Sequence, residues 1–202
     1  MKSLILICLS LGLLNAGAAV PKLMQDWLST QSSLKNKTVR FVQEKSGGVL
    51  KKPIKTPGQL WKGPASQFRW ELGEPPKSVL VFDGKTMNSY NTRKREWTPV
   101  KMDDRKYSTL LGFLGARKMP LSEIERDFEI RENGTSGNLV NFALIANSGF
   151  VRNKIKQIDL QINPSTKLLQ QLRILAQDDS QTIVSMSVPT SATLPAKAFR
   201  PE

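Results

Sequence analysis

At 202 residues, 39% of them apolar, 23% charged and 7% aromatic, the chain has the composition of one globular domain with a core, which excludes collagenous and low-complexity architectures. Its 30 Lys and Arg against 17 Asp and Glu give a formal net charge of +13, so an anionic neighbour is expected, of a kind the charge does not specify. Histidine is absent and cysteine occurs once, at Cys8, which removes Ser-His-Asp and Cys-His catalysis, His-containing zinc sites, thiolate metal sites and any intramolecular disulfide.

Met1 and Lys2 lead into the apolar run Leu4-Ile5-Leu6-Ile7-Cys8-Leu9, continued by Leu11, Leu13 and Leu14 and closed by Ala16-Gly17-Ala18-Ala19. A run shorter than the ~20 residues of a spanning helix, with a small-residue end, describes a secretory signal cleaved after Ala18. Cys8 lies inside the run, not behind it as in a lipoprotein signal. Residues 1–18 are thus expected to be a cleaved signal peptide and 19–202 a single domain, without internal repeat or linker.

Next, Leu23, Met24, Trp27, Leu28 and Leu34 recur at helical spacing among Lys22, Gln25, Asp26, Gln31 and Lys35, predicting an amphipathic helix. The period then drops to two. Val39 and Phe41 flank Arg40, while Gly47-Gly48, Pro53 and Pro57-Gly58 bracket short extended pieces. Leu60-Trp61 is a further extended candidate, and Phe68 and Trp70 share a strand face opposite Arg69 and Glu71. Val79-Leu80-Val81-Phe82, then Asp83-Gly84, then Thr86 to Tyr90 predict a β-hairpin.

The basic stretch from Arg93 to Lys106 reads as an irregular or short-stranded connection, and Tyr107, Leu110, Leu111 and Leu114 as a short apolar helix ending near Gly115. Ser122 with Glu125 suggests a capping box on another short turn before Phe128 and Ile130 resume strand spacing. Asn133-Gly134 is expected to turn into Leu139 to Ile145, with Val140, Phe142 and Leu144 on one side. Ile158 to Ile162, Leu168 to Ala176 and Thr182 to Val188 follow, broken by Asn163-Pro164 and Asp178-Asp179-Ser180. Evenly spaced strands joined by tight turns predict one antiparallel sheet curling over the helices.

Carboxylates pair locally at Glu71/Glu74, Asp103/Asp104, Glu123/Glu125 and Asp178/Asp179, at turns or among compensating bases, as solvated turn residues do. With no phosphate-cradling loop, nucleophile elbow or metal-ligand spacing, neither an enzyme nor a cofactor is expected. Lys45, Lys51, Lys52, Lys55 and Lys62, then Arg93-Lys94-Arg95 beside Trp97, have two readings: a solvated face, or a surface for anionic headgroups or acidic proteins. The secretory signal weighs against nucleic acid. Apolar side chains on both faces at Val79 to Phe82 and Leu139 to Ile145 fit either a sandwich core or a curved sheet with an apolar pocket on its concave side.

Phe41-Val42-Gln43, Gly58-Gln59-Leu60-Trp61-Lys62-Gly63-Pro64, Phe68-Arg69-Trp70 and Leu80-Val81-Phe82-Asp83-Gly84-Lys85-Thr86 with Tyr90-Asn91 resemble the periplasmic outer-membrane lipoprotein carrier family, LolA. The family pattern is F-x-Q, G-x-L-W-x-x-P, F-x-W and L-V-x-D-G-K-T with Y-N, in this order. The C-terminal half agrees in strand rhythm and in Phe199-Arg200-Pro201. The resemblance implies an open, unclosed antiparallel β-barrel of about eleven strands under a lid of short helices. It also implies a non-enzymatic periplasmic carrier that shields lipoprotein acyl chains between an inner-membrane ABC transporter and an outer-membrane acceptor lipoprotein or the outer membrane itself. A monomer is expected. The same fold serves lipid-sensing and other lipid-carrying envelope proteins, which is the alternative reading.

On this resemblance Phe68 and Trp70 match cavity-lining residues, and the full set of cavity candidates is Phe41, Leu60, Trp61, Phe68, Trp70, Leu80, Phe82, Tyr90, Leu110, Leu114 and Phe142. Lys51, Lys52, Lys55, Arg93, Lys94 and Arg95 are the candidates for a basic surface facing a partner or membrane. Many members carry an Arg, associated with holding the lid closed, where this chain has Gly63. Lys62 is the nearest cation and the candidate lid contact.

Overall fold

The structure is a computed structural model that describes residues 19–64, 66–92, 94–101, 112–113, 115 and 117–201. The expected signal peptide, Arg93, Leu110 and Leu114 lie outside the described residues. Helix α1 spans Ala19–Ser33 and is followed by β1 (Lys37–Ser46), β2 (Ile54–Lys62), β3 (Phe68–Leu72), β4 (Ser78–Phe82), β5 (Met87–Asn91) and β6 (Glu96–Val100). Helix α2 (Leu121–Asp127) leads into β7 (Phe128–Ser136) and β8 (Leu139–Ala146), and helix α3 (Gly149–Arg152) into β9 (Ile155–Asn163), β10 (Leu168–Ala176), β11 (Gln181–Met186) and β12 (Thr190–Ser191). A 3-10 turn, Ala196–Phe199, ends the fold.

The strands form one antiparallel sheet in the order β6-β5-β4-β3-β2-β1-β11-β10-β9-β8-β7, with β12 added beside β1. Consecutive hairpins build each half, and the β1–β11 pairing, with Phe41 opposite Met186, joins them. Strands β6 and β7 end the path, so the sheet is an open barrel, as expected.

Register explains the inner face. Val39, Leu60, Trp70 and Leu80 lie in one cross-strand row, and Lys62, Phe68, Phe82 and Met87 in the next. On the other half Val184, Leu172, Leu160 and Phe142 line up in the same way. Because a strand turns alternate side chains to one face, these rows make a continuous apolar surface. Met24, Trp27 and Leu28 of α1, Phe113, and Leu121 and Ile124 of α2 pack on it.

Several local expectations are corrected. Strand β7 runs through Asn133-Gly134 as an irregularity in its pairing with β8, and the turn falls at Gly137, where φ is 58°. Helix α2 starts at Leu121 with Pro120 at its N-cap and no side-chain cap, so Ser122 and Glu125 make no capping box. Helix α1 ends before Leu34, whereas the basic stretch carries a short strand, β6, one of the two forms expected for it. In the β4–β5 hairpin Asp83 accepts the backbone N–H groups of Lys85 at 2.7 Å and Thr86 at 2.8 Å. The Thr86 bond above all holds its carboxyl below the usual carboxylate range.

Gly58 sits on the inner face opposite Phe41. A Cβ there would stand 2.2 Å from the Phe41 ring and 2.7 Å from the Glu71 carbonyl oxygen, so only glycine lets the ring lie flat against the sheet. Gly58→Ala is expected to cost about 3 kcal/mol in urea unfolding, at the upper end of overpacking, since one of the obstructing atoms is backbone.

Candidate functional site

Of the candidates for an apolar cavity, Phe41, Leu60, Phe68, Phe82 and Phe142 are buried on the inner face, and Trp70 and Leu80 are partly buried against it. The Phe41 and Trp70 rings stack at 4.0 Å, in the space that Gly58 leaves. Two candidates face the other way. Trp61 lies opposite Arg69, whose guanidinium stands 5.8 Å from the indole centroid, and Tyr90 lies opposite Trp97 with ring centroids 5.0 Å apart. The reason is parity: Leu60 and Lys62 occupy the inward slots of β2, and Ser89 occupies the one level with Leu80.

The inner face also includes residues that local reading did not nominate, among them Trp27, Phe113, Ile124, Leu160 and Val184. Trp27 was visible as part of an amphipathic helix, but nothing local says which surface that helix covers. Trp27 and Phe113 contact each other at 5.6 Å. Gly115 presses on the end of α1 so closely that a Cβ would meet the Gln31 carbonyl oxygen at 2.2 Å. Helix α1 and the segment around Phe113 therefore form one roof over the concave face.

Among the described residues the roof packs directly on the sheet beneath it. A void of about 10 Å³ remains by Gln31, Lys62, Phe113 and Leu169. A cleft of about 320 Å³ opens between α1 and the β7–β8 edge at Leu23, Val140 and Phe142, rimmed by Lys22, Asp26, Glu132 and Lys167. A cavity of about 640 Å³ lies along β1–β3, lined by Arg40, Val42, Gln59 and Glu71 together with Phe41 and Gly58.

Among the described residues Lys62 is the one buried cation. Its side chain is 1% exposed among Val39, Leu60 and Phe113, and burial pushes its pKa down to about 8. Trp27 adds a second polar group, since its Nε1–H is buried with no acceptor among the described residues. Among those residues no cluster of His, Cys, Asp or Glu has the grouping of a metal site. No helix among them is long and apolar enough to cross a membrane.

The fold and its roofed apolar face can be set against known proteins. A family model described as outer membrane lipoprotein carrier protein LolA matches residues 32–202. The chain belongs to this family. It is 29% identical over 168 residues to the outer-membrane lipoprotein carrier protein of Photorhabdus laumondii, covering 79% of this chain and 81% of that one. With the protein of the same description from Serratia proteamaculans it shares 26% identity over 160 residues, 76% and 79% of the two chains. The Mycobacterium tuberculosis lipoprotein LppX shares the fold, with a TM-score of 0.52 at 8% identity over 90% of this chain and 100% of that one.

Gly63 has a packing role of its own. A Cβ on Gly63 would stand 2.7 Å from the Phe199 ring, and Phe199 is buried. The C-terminal turn lies across the outer side of β3, where the Arg69 guanidinium donates to the Ala198 carbonyl at 3.2 Å. Glycine at position 63 is thus the seat of the C-terminal Phe. Gly63→Arg should expel Phe199 and cost about 2–3 kcal/mol. A thermal melt measures the loss, and the unaltered melting of a Gly63→Arg, Phe199→Ala double variant relative to Phe199→Ala alone would identify the clash as its source.

Proposed function

We propose that this chain is a periplasmic carrier that takes the acyl chains of lipoproteins onto the concave face of its sheet and moves the lipoproteins from the inner to the outer membrane. The observation that carries this reading is the roofed face itself: an unbroken apolar surface spanning both halves of the sheet, covered by one helix and short segments instead of a second sheet. A roof of so few elements can be lifted, which a sandwich core cannot.

In this reading α1 and the Phe113 segment leave together, and acyl chains take their place against Phe41, Leu60, Trp70, Leu80, Phe82 and Phe142. Each methylene removed from water contributes ~0.8 kcal/mol, so an acyl anchor needs an escort through water. The roof offers the same face its own apolar side chains, so binding is an exchange of one cover for another and stays reversible. The Trp27 Nε1–H is available to an ester carbonyl of the cargo. Lys62 is the lid contact, in the sense that lifting the roof returns its ammonium to water. The chain has no catalytic role and no cofactor here.

Residues 1–18 serve as a cleaved signal, and the exported chain starts at Ala19. The donor is an inner-membrane ABC transporter and the acceptor an outer-membrane lipoprotein or the membrane itself; Lys51, Lys52, Lys55, Arg93, Lys94 and Arg95 speed these encounters. Depleting the protein in its host and fractionating the envelope tests the reading. Outer-membrane lipoproteins should accumulate in the inner membrane, and an unchanged distribution would refute it.

A further inference from the structure

Strand parity gathers the β1–β2, β3–β4, β5–β6 and β10–β11 turns and α3 at one end of the sheet. The two basic clusters, far apart in sequence, therefore share that end: Lys51, Lys52 and Lys55 on one hairpin, Lys94 and Arg95 on another, with Lys77 exposed between them. At the tip of the β1–β2 hairpin stands Val49, which is 98% exposed, and Ile54 on the same hairpin is 52% exposed.

This exposure is built in. The turn is closed by the Leu50 N–H donating to the Gly47 carbonyl at 3.1 Å, with Gly47 and Gly48 at φ 76° and 57°. Gly47 is packed so tightly on the β10–β11 turn that a Cβ would meet the Asp179 carbonyl oxygen at 2.6 Å. Two carboxylates stand beside the tip: Asp179 pairs with Lys156 at 2.5 Å, while Asp178 accepts the Ser180 hydroxyl at 2.6 Å and keeps its charge. Glu44 takes Lys55 at 3.4 Å, which leaves Lys45, Lys51 and Lys52 to set the sign of the tip.

We propose that this end docks on an anionic lipid surface, with Val49 as the inserted tip and Lys45, Lys51 and Lys52 against the headgroups. Lysine is depleted at protein–protein interfaces, and a single apolar apex offers far less area than a stable protein contact needs. An apolar point ringed by lysines suits a bilayer interface, where the tip enters the acyl boundary and each ammonium meets an anionic headgroup. Helix α1 lies at the opposite end, over the β9–β10 turn, where Lys167 approaches Asp26 at 3.9 Å. Docking therefore leaves the roof free to move. The proposal builds on the carrier reading, since a carrier visits two membranes.

Flotation of the purified exported protein with vesicles tests it. The protein should bind phosphatidylglycerol/phosphatidylethanolamine vesicles, release them as salt rises, and bind phosphatidylcholine vesicles weakly. Neutralising K45Q/K51Q/K52Q together should lower the partition coefficient roughly 100-fold, from the contribution of each lysine near an anionic surface. V49E should lower it about ten-fold or more, while V49L should not, and the exposed position keeps all three variants folded. If the protein ignores phosphatidylglycerol vesicles, or if V49E binds them as the parent does, the proposal is overturned; in the first case this end serves an acidic protein instead. Uptake of a fluorescent acyl probe by V49E separates the two readings. Retained uptake with lost vesicle binding supports both, whereas vesicle binding by a parent chain that takes up no probe refutes the carrier reading alone.

Discussion

Stability of the protein should rise between pH 8 and 10.5, and Lys62→Met should remove that rise. The Lys62 ammonium is buried between the sheet and the roof, and desolvation pushes its pKa from 10.5 to about 8. The unfolded chain keeps this proton up to about pH 10.5 and the folded chain only to about 8, so between these values unfolding takes up a proton. The sign follows. Stability of the parent should rise as pH climbs from 8 to 10.5, while below pH 8 the full penalty of the buried charge is in force. At 1.36 kcal/mol per pKa unit the rise across that window is up to about 3 kcal/mol. The variant should lose the rise in stability above pH 8. Because lifting the roof hydrates the ammonium, the same substitution should weaken acyl-probe uptake. A Lys62→Met protein that keeps the rise above pH 8 would show that another group titrates there.

Trp70→Glu should abolish acyl-probe uptake while leaving a folded protein. Trp70 lies on the inner face between Leu60 and Leu80, stacked on Phe41 at 4.0 Å, and is only partly buried. The partly exposed position lets a carboxylate keep some water in the closed protein. Against an acyl chain it has none, and an unpaired charge in an apolar site costs several kcal/mol, enough for a loss in affinity of at least about 100-fold. Trp70→Phe should retain uptake. Phe68, matched to the same function by its place in the motif, is an unsuitable probe: it is fully buried between Lys62 and Phe82, and a charge there acts on folding first. Normal uptake by a folded Trp70→Glu protein would remove this row from the cargo surface.

The difference between Phe68 and Trp70 shows where local reading stops. Both sit on one face of one strand, as alternation requires, and the hairpin through Asp83-Gly84 and the inward set Val140, Phe142 and Leu144 follow from the same period of two. Depth along the strand is different, because it depends on what lies above each residue. Trp61 and Tyr90 illustrate the same point. Their motif marks them as special, but facing is settled by register against β3 and β6, and there they meet Arg69 and Trp97 on the outside.

From the amino-acid sequence alone come the class of the fold, the absence of histidine and disulfide chemistry, the family, and the parity of most strands, because composition, turn residues and alternation act within a few residues of one another. Only the tertiary structure decided that α1 roofs the sheet, that Lys62 points inward, that Gly63 seats Phe199 and that two distant basic clusters meet at one end. Each of these joins residues separated by tens of positions. Their contacts arise from the curl of the sheet and the packing of its two halves through β1 and β11, and a local pattern carries no term for either.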